Sequence, residues 1–499
     1  MKGSGLCFCR KHEPHGGTNM QRTTDVARLG WIAAAVVVLG ALIGAGAGLL
    51  TLLLYGVEHV MLGYMEGAGM PGPFAVPAVR RGVSVVVGLT IAGVAWYLLR
   101  GRAKPVPSVK KAVAGDRMPV WQTVVHVVLQ IFIVGSGASI GREVAPRELG
   151  AMLAQRFCDL LRIDGENGLD RRMVVAVAAG AGLGGVYDAP LAGMFFAVEI
   201  LLTDVTIEKV AFGLGMSSVA AFVATAIKGR HTFYDVTAMQ PESTPTLMLF
   251  ALLCGAACGV AGALFRRGSS WAEGRRAKGR AILWWMPLAG VVTAAVAIIV
   301  PEVMGNGRAT AQLGFSAFLS DVSAASGAVQ SADSAAASPW TLLAGPDAGW
   351  TVNAGSASSQ SQVWAMLGVL ALAFAAKAAV TLLTIRSGAS GGVLQPGIAL
   401  GSTLGAMLGL LWLFAFPADS LTACALIGAA ALLSASQQAP LMAMCLVMEL
   451  TEAPMSFFVP VGLAVAASAL VSKWMLACAD RCAGSQKTGE TGLRVGWNR

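Results

Sequence analysis

Residues 387–401 read SGASGGVLQPGIALG, and their first four letters have already occurred once, at 136–139. The stretches after the two copies keep step. APL stands at 189–191, 53 residues after the first SGAS, and again at 439–441, 52 residues after the second. Each APL opens an apolar run that closes on a carboxylate at the same distance, Glu199 in APLAGMFFAVE and Glu449 in APLMAMCLVME. LGAML also recurs, at 149–153 and 404–408. Three features in register, with LGAML at a slightly different offset, indicate an internal duplication of about 250 residues per repeat. The first copy occupies about 80–228 and the second about 245–480.

The medium of the repeat follows from composition. Of the 499 residues 56% are hydrophobic and only 13% charged, half the charged share of an ordinary soluble domain. Apolar runs recur at 30–56, 82–99, 118–135, 172–187, 206–227, 245–265, 281–300, 362–384 and 393–415, with shorter ones at 417–434, 440–450 and 455–472. None alternates with period two, so a barrel is excluded and the chain reads as an all-α polytopic membrane protein. The net charge of +9 does not indicate nucleic acid. Its basic residues cluster between the runs, at Arg100, Arg102, Lys104, Lys110, Lys111 and Arg117, and at Arg266, Arg267, Arg275, Arg276, Lys278 and Arg280. By the positive-inside rule these segments are cytoplasmic. The reading is a multi-pass cell-membrane protein with a cytoplasmic tail over 1–29, the transmembrane domain over 30–480 and a cytoplasmic tail over 481–499. The segment 320–361, rich in Ala and Ser and without Lys or Arg, is expected as an extracytoplasmic loop. Nine cysteines and five histidines show no disulfide framework and no metal-ligand spacing, and no cofactor is called for.

Each copy contains a glycine-rich break, GSGASIG before Arg142 and SGASGG before Val393. A helix that starts at such a break presents unpaired N–H groups and about half a positive charge, which makes it an anion site. Two such starts meeting at the repeat interface hold a small anion without a full positive charge, weakly enough to release it. Directly after the first break comes GREVAPRELG (141–150), with four ionisable residues among apolar runs. Glu143 sits at the expected helix start, where a charge costs about 2.5–3.5 kcal/mol on insertion scales, and so marks function. Arg147 and Glu148 read as a helix-end pair, and Glu199 and Glu449 as structural helix-end groups. One enzymatic reading competes: GASG at 388–391 matches the nucleophile turn of an intramembrane serine protease, with Ser390 as nucleophile and His126 as base. The same turn at 136–139 has no histidine to serve it, so the duplication accounts for the motif without catalysis.

GRE at 141–143, GLGGVYDAPLAGMFFAVE at 182–199, SGASGGVLQPGIALG at 387–401 and ALLSASQQAPLMAMCLVMELT at 431–451 together resemble the signatures of the CLC family of chloride channels and chloride/proton antiporters. The resemblance runs over about 30–480. It implies about 18 tilted helices in two inverted repeats, and a homodimer with a pore in each subunit. It also implies that Glu143 is a gating carboxylate occupying the anion path. Backbone N–H groups around Gly141, Arg142 and Val144 would face an outer anion site, and those of Val393 and Leu394 a central one. The sequence departs from the family pattern in four places. GREGP appears as GREVAP. Lys104 stands where a pore serine belongs, and no tyrosine follows Tyr234, which puts Cys478 at the late pore position. Ile200 occupies the inner proton-transfer position, which lacks a carboxylate. Because Ile200 carries no proton, the sequence favours passive chloride conduction. Proton-coupled antiport, or transport of fluoride or nitrate, is the alternative.

Overall fold

The computed structural model describes residues 29–67, 70–162, 169–230, 232–237, 239, 243–316 and 357–492. The Ala/Ser-rich loop therefore lies outside the described residues, apart from its last positions, which begin a helix. Sixteen α-helices are present among the described residues. In chain order they are α1 (Leu29–Met61), α2 (Ala78–Arg102), α3 (Val109–Val113), α4 (Val120–Gly135), α5 (Val144–Leu160), α6 (Arg171–Tyr187) and α7 (Pro190–Phe195, continued by a π turn, Phe196–Leu202). Then come α8 (Ile207–Lys228), α9 (Pro245–Gly274), α10 (Ile282–Ile299), α11 (Arg308–Phe315), α12 (Ala357–Arg386), α13 (Leu394–Trp412), α14 (Leu421–Gln437), α15 (Pro440–Thr451) and α16 (Phe458–Gly492).

Among the described residues, eight helices are long and apolar enough to cross a membrane. The runs at 118–135 and 172–187 are not among them. They form 16- and 17-residue helices, and every side chain of α6 from Met173 to Tyr187 is buried. Its counterpart α14 is buried from Leu421 to Ser436. Both are built of Ala, Gly and other small or aliphatic residues, which lets neighbouring backbones come close where lipid supplies no hydrophobic drive. A Cβ on Gly150 would lie 2.4 Å from the Ala178 carbonyl oxygen, and one on Gly401 would lie 2.4 Å from that of Gly428. These are the same contact, α5 on α6 in one repeat and α13 on α14 in the other.

The duplication is visible to the level of single bonds. Both α6 and α14 end on a left-handed residue, Asp188 (φ 54°, ψ 36°) and Gln438 (φ 57°, ψ 40°), and each is followed by Ala-Pro-Leu opening the next helix. Proline at the first helical position sacrifices no hydrogen bond there. The carboxylates ten residues further on then cross over. Glu199 accepts from the N–H groups of Leu441 (3.2 Å) and Met442 (2.9 Å), at the start of α15. Glu449 accepts from those of Leu191 and Ala192 (both 2.8 Å), at the start of α7. Each repeat caps the other's helix, so α7 and α15 pack antiparallel about a pseudo-two-fold axis, as inverted repeats require.

The last helix, α16, runs on through 481–492, the first part of the segment read as the C-terminal tail.

Candidate functional site

The two glycine-rich breaks meet. Gly141 and Gly392 exchange backbone hydrogen bonds, each N–H to the other's carbonyl at 2.8 Å. Glu143 is the residue before α5 and Val393 the residue before α13, so both helices begin at this junction. The Glu143 side chain is fully buried and folds back over the glycines. Its Oε1 accepts from the Leu394 N–H at 2.5 Å, while Oε2 has no hydrogen-bond partner. The seated carboxylate needs glycine at both positions, since a Cβ would lie 2.1 Å from it at Gly141 and 2.0 Å from it at Gly392. A negative group thus rests on the N-terminal end of the opposite repeat's helix, the placement that amide donors and helix dipole favour. Val144 opens α5 beside it.

Arg142 is held by its side chain as well as its backbone. Its guanidinium is buried, 3.1 Å from Glu66, and lies over the rings of Tyr187 and Phe233. Arg308 shares Glu66 at 3.8 Å and stacks on Phe233. Around Glu143 three further groups are buried. Tyr234 donates to Gln395 Oε1 at 2.5 Å, which fixes that amide and leaves its Nε2 without a partner, and the Tyr187 hydroxyl also has none. Lys377, fully buried, donates to the carbonyls of Val303 (2.9 Å) and Gly305 (3.0 Å), within electrostatic reach of Glu143.

Two openings approach this junction. Because α1 and α2 are antiparallel spans, Tyr55 near the end of α1 and Arg100 near the end of α2 lie at opposite ends of the bundle. On the Tyr55 side is a crevice of about 20 Å³, room for about one water, lined by Arg142, Lys228, Arg308 and Asp188 among others. On the Arg100 side is a cavity of about 460 Å³ whose walls include Arg100, Arg276, Lys278, Glu148, His126 and Ser390. Each opening shows three cations against one carboxylate, a field that concentrates small anions.

Other expected residues fall elsewhere. Lys104 is exposed in the link between α2 and α3 and does not line the cavity, which Val106 and Ser108 reach instead. An ammonium with no paired acid stays in water. Cys478 lies within the unbroken α16, and its sulfur accepts from Arg481 at 3.5 Å. With no helix start there, nothing turns this residue back towards the junction. Ile200, in the π turn after α7, lines a separate surface cavity with Lys110, Asp170 and Arg172. Arg147 and Glu148 form no ion pair. Arg147 donates to the Glu143 carbonyl at 2.7 Å and stacks on Phe196, whereas Glu148 accepts from Gln130 at 2.7 Å. Ser390 and His126 share a cavity but are not bonded to each other. The Ser390 hydroxyl accepts from Arg100 at 2.8 Å, and His126 Nδ1 accepts from Trp96 at 2.9 Å. The histidine is thus turned away from the serine.

A family profile described as Voltage gated chloride channel matches residues 83–473. Among solved structures, a slow cyanobacterial Cl⁻/H⁺ antiporter is similar with a TM-score of 0.67 at 19% identity, over 88% of this chain and 95% of that one. A CLC-type fluoride/proton antiporter is similar with a TM-score of 0.56 at 18% identity, over 88% and 96%. A eukaryotic CLC transporter gives 0.61 at 19% identity, over 88% and 72%. With most of its length matched and its two helix starts meeting on a buried glutamate, the chain belongs to the voltage-gated chloride channel family, the CLC proteins, which transport anions across membranes.

Proposed function

We propose that this protein moves chloride or a similar small anion through a path within each subunit, with the Glu143 carboxylate as the gate. The observation that carries the reading is the hydrogen bond from the Leu394 N–H to Glu143 Oε1. The carboxylate occupies the donor that an anion would use, between two openings that both draw anions. Transport follows when the carboxylate is protonated or displaced and a permeant anion takes its seat. A homodimer with one path per subunit, and with the basic loops cytoplasmic, accompanies this reading.

Two modes are open to such a gate. Passive conduction is supported by Ile200, which offers no carboxylate for an inner proton step. Exchange for protons is supported by the similar solved proteins, two of which are described as proton antiporters. The basic test is anion efflux from proteoliposomes. Efflux should exceed that of protein-free vesicles, and Glu143→Gln should change its rate and remove its response to pH. Efflux equal to that of empty vesicles, or a Glu143→Gln protein indistinguishable from the wild type, refutes the reading. Replacing chloride by fluoride, bromide and nitrate ranks the anions the site accepts.

A further inference from the structure

Glu148 is a buried carboxylate, 6% exposed, that opens onto the 460 Å³ cavity and has no structural need to be charged. It is the one acidic residue among the cavity's lining residues, where Arg100, Arg276 and Lys278 supply the charge. It lies five residues beyond Glu143 on the same helix, about 7.5 Å further along the axis. We propose that Glu148 passes protons between this cavity and the Glu143 gate, so that anion movement is coupled to proton movement despite Ile200. The proposal rests on the reading of Glu143 as the gate.

The surroundings of Glu148 suit a group that binds and releases a proton. Oε2 accepts from Gln130 Nε2 at 2.7 Å and lies 3.8 Å from His126 Nε2, both on α4. Indole N–H only donates, so the Trp96 bond leaves His126 Nδ1 unprotonated and puts the ring's proton on Nε2, facing Glu148. His126 is held as a neutral donor and does not compete for the proton. From the other elements, Arg100 on α2, Arg276 in the α9–α10 link and Arg147 on α5 itself act on the carboxylate electrostatically. These cations favour its ionised form, and burial favours its neutral one. That balance lets one carboxyl be populated in both states.

The onward path is short. Ser390 lines the same cavity, and Gly392, two residues along, touches the Glu143 carboxylate. The cavity has room for several waters, and Arg100, Arg276, Glu148 and Ser390 in its wall offer them polar partners, so that water would join Glu148 to Ser390. In the forward step an O–H bond of a hydronium ion in the cavity breaks, leaving water, and a Glu148 O–H bond forms. The Glu148 O–H bond then breaks as the proton passes through water beside Ser390, and an O–H bond forms on Glu143, which leaves the Leu394 N–H free for an anion. The reverse sequence returns it, with no change in oxidation state.

The bland alternative is that Glu148 only offsets Arg100 and Arg276. The experiment that separates the two records chloride and external pH together in proteoliposomes under a chloride gradient. The wild type should drive protons uphill. Glu148→Gln, which keeps the side-chain shape, should lower the proton-to-chloride ratio at least about tenfold while chloride still moves. Glu148→Asp, with its carboxyl drawn back by one methylene, should give an intermediate ratio, and it serves as the test if the glutamine protein fails to elute as the wild type does. A wild type that moves chloride without protons overturns the relay and leaves the gate standing. So does a wild-type ratio in both variants. A wild type that moves no chloride overturns the gate reading, and the relay with it.

Discussion

Substituting Gly392 by alanine removes no charge and no hydrogen-bonding group, yet it should unlock the path. A Cβ there would lie 2.0 Å from Glu143 Oε1, 2.3 Å from its Cδ and 2.7 Å from its Cγ. Gly392 is not among the glycines with positive φ, so alanine fits its backbone, and the hydrogen bonds it exchanges with Gly141 are main-chain and survive. The atoms that must give way are the end of a flexible side chain, and the cheap response is for Glu143 to swing off its seat. That forfeits a charge-assisted bond from the Leu394 N–H, worth about 1.5–3 kcal/mol. At about 1.4 kcal/mol per tenfold, the balance between seated and displaced carboxylate moves about 10- to 150-fold towards displaced. The assay is chloride efflux from proteoliposomes at neutral and acid pH. The wild type should speed up in acid, as protonation frees the gate, whereas Gly392→Ala should be fast at both. Efflux at the wild-type rate with the wild-type acid response would falsify the idea that the carboxylate is held by this contact. Efflux slower at every pH would show the methyl group plugging the path instead, which equally defeats the argument.

Two further predictions concern what holds the junction in place. Glu449→Ala leaves the N–H groups of Leu191 and Ala192 without an acceptor at the start of α7, and should cost about 1–2 kcal/mol, read as a lower thermal midpoint in detergent. Glu449→Gln, which keeps one acceptor oxygen, should recover part of that loss, and an unchanged midpoint in the alanine protein would remove the cap from the account. Glu66→Gln leaves the buried guanidiniums of Arg142 and Arg308 without their shared counter-charge, at a cost of about 3–5 kcal/mol. Wild-type thermal stability in that variant would mean that the guanidiniums are balanced elsewhere.

Features that are local or periodic are legible in the sequence. The two SGAS breaks, the APL helix starts and the carboxylates beyond them are short-range signals, and they locate the repeat and the Glu143 junction. Length misleads where apolarity comes from burial rather than lipid, as in α6. Pairings between distant segments are out of reach: nothing near Arg142 names Glu66, 76 residues away, or Arg308. Two signals lie outside the motifs. Lys377 is the lone charge inside the run 362–384, and an intramembrane ionisable residue is functional by default. His126 and Gln130 stand four apart on one face of an apolar helix, which sets polar partners facing Glu148. Lys104 and Cys478 rest on short motif matches, which fix neither the exposure of the link that carries Lys104 nor the unbroken helix that carries Cys478.

The two-fold relation itself argues that the charges at the centre serve transport rather than folding. Gly141 and Gly392 are equivalent across the axis, 251 residues apart, as are Gly150 and Gly401. The same shift carries Arg142 onto Val393, Glu143 onto Leu394, Arg147 onto Ile398 and Glu148 onto Ala399. One backbone arrangement is therefore built twice, once with four charges and once with none, so the arrangement does not depend on them. The apolar copy shows what the helix start does unaided: the Leu394 N–H is left free, and Glu143 from the other copy takes it. A gate needs this asymmetry, because two carboxylates facing each other across the axis would repel and neither could seat. With Leu394 in place of a second glutamate, the proposed anion path has one movable charge and one fixed donor. The same reasoning singles out Glu148, whose counterpart Ala399 packs in the equivalent position with no carboxyl at all.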